Sequence, residues 1–265
     1  MMDDDAEYFV RCIGEGIAEA FNTCRFFLGV ESETFKNTNI HPEYVTTVEV
    51  AKKLTGFDRH VSLETHMKDL RREAGGLARL SSLNDQKRWA EIADLLKKYR
   101  FGEKDSRRID IVVRPSSEDR PPLLLAEAKL GISNVAGVIQ DIDRVTCLLT
   151  MYHRLGLLDR YRIYGAILFH SAKEGGGEEA AALAAQNLLT TVETHLSSVK
   201  ATYPWLLAKA GILSAKAQHQ PVQAYWEQFG EGEGEGEFVF AKTSLTFAPG
   251  LILLGNGEDV ETVAI

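Results

Sequence analysis

The stretch 107–130 places charged residues where apolar ones are expected. Asp110 sits between Ile109 and Ile111 in RRIDIVVR, and Glu127 and Lys129 sit within LLLAEAKL. The first run is rich in β-branched residues and the second is almost continuously apolar, the pattern of buried strands. Strand side chains alternate faces, so Glu127 and Lys129 share one, roughly 7 Å apart along the strand. The turn PSSEDRPP between the runs implies a hairpin, which lets Asp110 lie opposite them. Charged groups are seldom buried in such strands unless they are paired or bound to metal. Two carboxylates can hold a hard cation such as Mg²⁺, which takes oxygen ligands and keeps several waters. Such an ion polarises a phosphoryl oxygen and acidifies a bound water, and a nearby lysine can orient that water or offset charge on a pentavalent phosphate. The chemistry indicated is metal-assisted hydrolysis. The alternative is a buried ion pair of Lys129 with Asp110 or Glu127. A Glu-x-Lys triplet arises by chance in a chain of this composition, so its weight comes from its place in a buried strand beside a second strand carrying an aspartate.

The elements that would position these residues follow from periodicity. Residues 6–28 have apolar positions at helical spacing, and Asp3 to Asp5 suit a helix N-terminus. The polar stretch 31–40 reads as a loop. Pro42 opens a helix over 42–54 that Gly56 closes. Residues 59–67 alternate like a strand, and 68–104 are polar and helix-rich, most clearly at 84–100. Strands are expected at 107–114, 123–130 and 161–170, with a helix between the last two from Asn134 to Gly156. A hinge at Gly175–Gly177 leads to a helix over about 178–200. The acidic-glycine tract 231–237 has too little apolar content to pack and reads as a mobile loop, followed by short strands EFVFAK, SLTFA and LILLG. Helices alternate with strands in the manner of an α/β protein, a mixed sheet flanked by helices. No linker divides the chain, so residues 1–265 are expected to form a single domain.

Asp110 followed by Glu127-Ala128-Lys129 resembles the active-site signature of the PD-(D/E)xK nuclease superfamily, the restriction-endonuclease-like fold. Ile109 stands where the family name places a proline, a position that varies widely in that superfamily. The family core runs helix, three strands, helix, strand, and residues 42–54, 59–67, 107–114, 122–130, 134–156 and 161–170 follow that order. The resemblance covers about 42–170, with a helical insertion at 68–106 and C-terminal additions over 171–265. It implies a nuclease that cleaves phosphodiester bonds with Mg²⁺, or Mn²⁺ in its place. Asp110 and Glu127 would ligate the metal and Lys129 would assist the water. The family often adds a glutamate on the first core helix. Glu49 has Lys53 four residues on, the favourable order for an exposed pair. Glu43 begins the series Thr47, Val50, Leu54, a face that should meet the sheet, and is preferred. Glu64 is a weaker candidate. In similar nucleases a polar residue of the helix after the lysine approaches the site. Gln140 is that candidate here, offset from the stripe Val135, Val138, Ile142, Val145, Leu149, while Arg144 is expected to pair with Asp141.

Composition sets the limits. The chain has 265 residues, 45% hydrophobic and 26% charged, which excludes collagen-like, disordered and coiled-coil classes. No apolar run approaches the roughly 18 residues of a membrane span. The acidic N-terminus is unlike a secretory signal. Cys12, Cys24 and Cys147 follow no metal spacing and read as reduced thiols, so a cytoplasmic location is expected. The net charge of −8 argues against a general nucleic-acid coat protein. Yet residues 59–120 hold 15 Lys and Arg against 11 Asp and Glu, a local excess of +4. Arg71, Arg72, Lys87, Arg88, Lys97 and Lys98 could therefore contact a phosphate backbone, with DNA the preferred partner. A homodimer or a protein partner is left open, and a non-catalytic binding module on the same fold is the rival. The histidines show no zincin spacing and Gly175–Gly177 is followed by no phosphate-loop lysine. Trp89, Trp205 and Trp226 read as core residues.

Overall fold

A computed structural model describes residues 6–28, 42–82, 85–99, 107–117, 119–130, 135–174, 177–213, 220–221, 224–228, 236–240 and 244–265. The expected loop at 31–40, the hinge residues 175–176 and residues 231–235 of the acidic-glycine tract lie outside them. The chain is α/β with a mixed sheet flanked by helices.

Helices α1 (Ala6–Leu28) and α2 (Pro42–Leu54) precede strand β1 (Arg59–His66). Helices α3 (Met67–Leu80) and α4 (Gln86–Lys98) then lead to β2 (Arg108–Pro115) and β3 (Leu124–Leu130). Helix α5 (Val135–Arg154) crosses to β4 (Tyr164–Glu174), and α6 (Gly177–Thr202) to β5 (Leu207–Ile212). The short strands β6 (Gln220–Pro221), β7 (Ala224–Gln228) and β8 (Gly236–Phe240) precede β9 (Ser244–Gly255) and helix α7 (Asp259–Thr262). The main sheet runs β1-β2-β3-β4-β9-β5, with β6 joining the far end of β9. Strands β1, β2 and β3 form an antiparallel meander, and β3 pairs parallel with β4 through the α5 crossover. Strand β9 pairs antiparallel with both β4 and β5, so the C-terminal strands widen the same sheet.

Alternation along the central strands divides the core in two. Val112, Leu125, Ile167 and Ile252 face a layer built from α3, α4, α5 and α6. Ile111, Val113, Leu124, Ala126 and Leu168 face α1 and α2. The two helices of the second layer meet closely, because a Cβ on Gly16 would stand 2.5 Å from the Val50 Cα. That contact fixes α2, and with it Glu43 in its first turn.

Several expectations change. SLTFA and LILLG are one strand, continuous through Pro249 and Gly250 along β4, and Phe169 of β4 occupies the space where a Gly250 side chain would stand. Gly177 opens α6 rather than extending a hinge. Gly236 and Glu237, read as loop, pair with β7 in a hairpin. Trp89 is 40% exposed rather than core, its indole N–H donated to the Ser82 carbonyl at 2.9 Å. Glu49 is buried and pairs with Lys52 at 2.8 Å, one residue short of the expected Lys53. No helix among the described residues is long and apolar enough to cross a membrane.

Candidate active site

The site is built where the sheet opens. The β2–β3 ladder pairs Val113 with Leu124, Val112 with Leu125 and Ile111 with Ala126. The next step of this register sets Asp110 opposite Glu127. There the backbone ladder stops, and the Asp110 carboxylate takes over by accepting the Ala128 N–H at 2.8 Å. Strand β2 stays with β1 as far as His66 and Arg108, while β3 stays with β4 as far as Leu130 and His170. The two halves therefore part at the level of the two carboxylates.

The same level is irregular in β1. Glu64 lies across from Asp110, between the pairs Leu63–Ile111 and Thr65–Ile109, and has a φ of 54°. A left-handed non-glycine residue inside a strand costs on the order of 1–2 kcal/mol, and such strain collects where function over-determines the backbone. Glu64 itself is exposed and stands 3.6 Å from Arg108.

Four further charged groups complete the cluster. The apolar stripe of α5, Val138, Ile142, Val145 and Leu149, is buried against the sheet and carries Asp141 and Arg144 down with it. The Arg144 guanidinium donates to Glu127 Oε1 at 2.6 Å and stands 3.2 Å from Asp141 Oδ1. Lys129 Nζ stands 3.4 Å from Asp141 Oδ2 and 3.7 Å from Glu43 Oε1. Its stem passes Gly137 in the first turn of α5, where a Cβ would lie 3.4 Å from Lys129 Cε. Glu43 comes from the helix layer on the other face, so this contact joins the two layers beside the point where β2 and β3 part. Charges thus alternate along Glu127, Arg144, Asp141, Lys129 and Glu43.

Burial divides the cluster into a sealed end and an open end. Glu127 is 2% exposed and Asp141 1%, while Lys129 and Glu43 keep about a third of their side chains in solvent. Burial, reinforced by the negative charge of Asp110, pushes the Glu127 carboxyl up to about 9, against the pull of Arg144. Burial also raises Asp141, although Lys129 and Arg144 oppose it. For Lys129, burial favours the neutral amine, but Asp141 and Glu43 outweigh it and hold the ammonium above its ordinary value. Both Asp141 oxygens are buried and face their cations at ion-pair distance without an aligned hydrogen bond.

Of the residues singled out in the sequence, Asp110, Glu127, Lys129 and Glu43 come together. Gln140 does not join them; it is exposed on α5. The residues that enter from this helix are Asp141 and Arg144. Arg144 does pair with Asp141, as expected, but its shorter contact is to Glu127. The sequence did carry a signal for Asp141, which lies three residues after Val138 and four before Val145 and so falls on the buried face.

The donor set decides which metal it can suit. Among the described residues no group of three or more His, Cys, Asp and Glu side chains is placed to hold an ion. A fully protein-ligated zinc site is therefore not formed by them. Two carboxylates from adjacent strands, near enough for the charge of Asp110 to act on Glu127, suit a hard cation that fills its remaining positions with water or phosphate oxygen. Burial is the main cause of the raised Glu127 pKa; the negative charge of Asp110 adds to it, and that added repulsion is what a cation between the two would relieve. No family model, curated protein or solved structure matches this chain.

Proposed function

We propose that this chain is a Mg²⁺-dependent nuclease with a restriction-endonuclease-like core, acting on nucleic acid, with DNA preferred. The observation that carries the reading is the grouping of Asp110 with Glu127 and Lys129, close enough for its charge to act on both, at the level where β2 leaves β3. The order α2, β1, β2, β3, α5, β4, with an antiparallel meander and one parallel crossover, supports it, because the resemblance implies that order.

Asp110 and Glu127 would hold the ion. Mg²⁺, or Mn²⁺ in its place, supplies polarisation of a phosphoryl oxygen and a more acidic bound water. The rest falls to the chain. Asp141 and Glu43 hold the Lys129 ammonium charged, so that it can orient a water or offset charge on the phosphate. The Ala128 N–H fixes Asp110. Arg144 holds Glu127 in place from the buried side by donating to its Oε1.

A second reading has its own observation. Glu127 is sealed and already paired with Arg144, as in a structural ion pair, and this favours a non-catalytic binding module. Metal titration with a panel of duplex and single-stranded DNA and RNA separates the two. Cleavage that requires Mg²⁺ and disappears in Asp110→Ala supports the nuclease. Binding without cleavage at any metal concentration supports the module.

A further inference from the structure

A surface cavity of about 890 Å³ lies away from the carboxylates, between α3 and α4. Lys68, Arg71, Arg72, Arg79 and Lys97 line it, against the single carboxylate Asp69. The protein as a whole carries a charge of −8, so this concentration of cations runs against its overall balance. We propose that this groove is a track for the phosphate backbone of a nucleic acid, leading to the Asp110 row. The proposal rests on the nucleic-acid reading above but does not require cleavage.

The construction of α3 supports it. Lys68, Arg72, Gly76 and Arg79 recur at helical spacing and form one stripe, about 16 Å long. Gly76 lines the cavity, and a Cβ there would meet nothing within 4 Å. The middle of the stripe is therefore bare backbone, which a phosphate can approach more closely than it could a side chain. Arg71 is committed to structure, donating to the Leu96 and Tyr99 carbonyls at the end of α4. Arg72 pairs with Asp69, and Lys97 pairs with Asp94 at 2.7 Å. Both are exposed helix pairs of small energy, which a phosphate can displace. Lys68 and Arg79 have no ion-pair partner among the described residues. The track also has a direction. His66 borders the cavity and closes β1, where it pairs with Arg108, two residues from Asp110.

The test is fluorescence anisotropy with a labelled 20-base-pair duplex in EDTA, so that cleavage plays no part, repeated over a range of salt. The variants are Lys68→Ala/Arg79→Ala and Gly76→Glu. The second places a carboxylate in the groove while improving helix propensity, so it keeps the fold. Each should weaken binding at least tenfold. The double variant should also reduce the slope of log K against log salt by about 2, since each phosphate contact contributes about 0.9. Arg11→Ala, on the opposite helix layer, should bind as wild type does. Variants that bind with wild-type affinity and slope, a wild type that does not bind, an equal loss in Arg11→Ala, or equally tight binding of polyglutamate would each overturn the track. A wild type that binds through the groove but never cleaves with Mg²⁺ keeps the track and overturns only the nuclease. Cleavage by wild type with unaffected groove variants does the reverse.

Discussion

Arg144→Met should destabilise the protein by an amount that depends strongly on pH. Arg144 serves two sealed carboxylates at once, at 2.6 Å from Glu127 and 3.2 Å from Asp141. Removing the cation from a buried pair costs about 3–5 kcal/mol when the partner stays charged. Glu127 has an escape, because burial and Asp110 already push its carboxyl up to about 9 from an ordinary 4.5. A carboxyl whose folded pKa is raised contributes stability that is fully present below its unfolded pKa and is lost as pH rises through the folded one. For wild type this proton makes stability fall between about pH 4.5 and 9, by up to about 1.4 kcal/mol per pH unit. Near pH 6 Glu127 is protonated in both proteins, so the variant loses mainly a hydrogen bond and the contact to Asp141, about 1–2 kcal/mol. Above pH 9 the wild-type carboxylate ionises against Arg144, while the variant, without that partner, keeps its proton to higher pH, so the penalty should climb by up to about 1.4 kcal/mol per pH unit, about 1 kcal/mol by pH 9.5. Urea titrations at pH 6 and pH 9.5 in constant salt measure the difference. A penalty of the same size at both would show that Glu127 does not change its protonation between them, and would refute the argument.

Further outcomes follow from other parts of the fold. Asp141→Asn should keep the protein folded and lower the Lys129 pKa, because burial then acts against a weaker attraction; NMR titration of the lysine Cε signals would show no shift if Asp141 were incidental. Gly16→Ala should cost about 1–3 kcal/mol, since the added methyl meets Val50 backbone and forces α1 off α2; an unchanged thermal midpoint would contradict the close contact. Glu64→Gly should fold with no loss of stability, whereas Glu64→Val should lose about 1–2 kcal/mol to its left-handed backbone, as read by chemical denaturation. Gly76→Ala should gain about 0.5–1 kcal/mol, because its Cβ enters open space on a helix.

How far the sequence foretold this structure depended on where the determining contacts lay. Helices α1 and α2 were legible to their ends, because Pro42 and Gly56 are local signals and the apolar spacing repeats over several turns. Strands β2, β3 and β4 were legible because burial on both faces leaves nearly continuous apolar runs. Strand β5 was not. LAKAGI is weakly apolar, and it is a strand because the outer edge of β9 offers it a partner from 38 or more residues later in the chain. Asp110, Glu127 and Lys129 stood out as charges in apolar strands. The pairing of Glu127 with Arg144 did not, because it depends on how α5 rotates over β3. Gln140 and Asp141 are adjacent, and that rotation buries one and exposes the other. The left-handed Glu64 has no sequence signature, since glutamate rarely adopts that conformation.

The central claim is that Asp110, Glu127 and Lys129 form a hydrolytic site, and matched cleavage and stability measurements on Lys129→Met test it most directly. Lys129 is about one-third exposed and meets Asp141 and Glu43 at 3.4 and 3.7 Å, so it is held at the open end of the cluster. The account predicts that wild type cleaves a nucleic-acid substrate only with Mg²⁺ or Mn²⁺. It predicts that Lys129→Met loses cleavage, remains folded, and is stabilised by added Mg²⁺ through mass action. A variant that unfolds with or without Mg²⁺, or a wild type that binds nucleic acid and leaves it intact in every metal, would identify the cluster as a structural ion network and contradict the account.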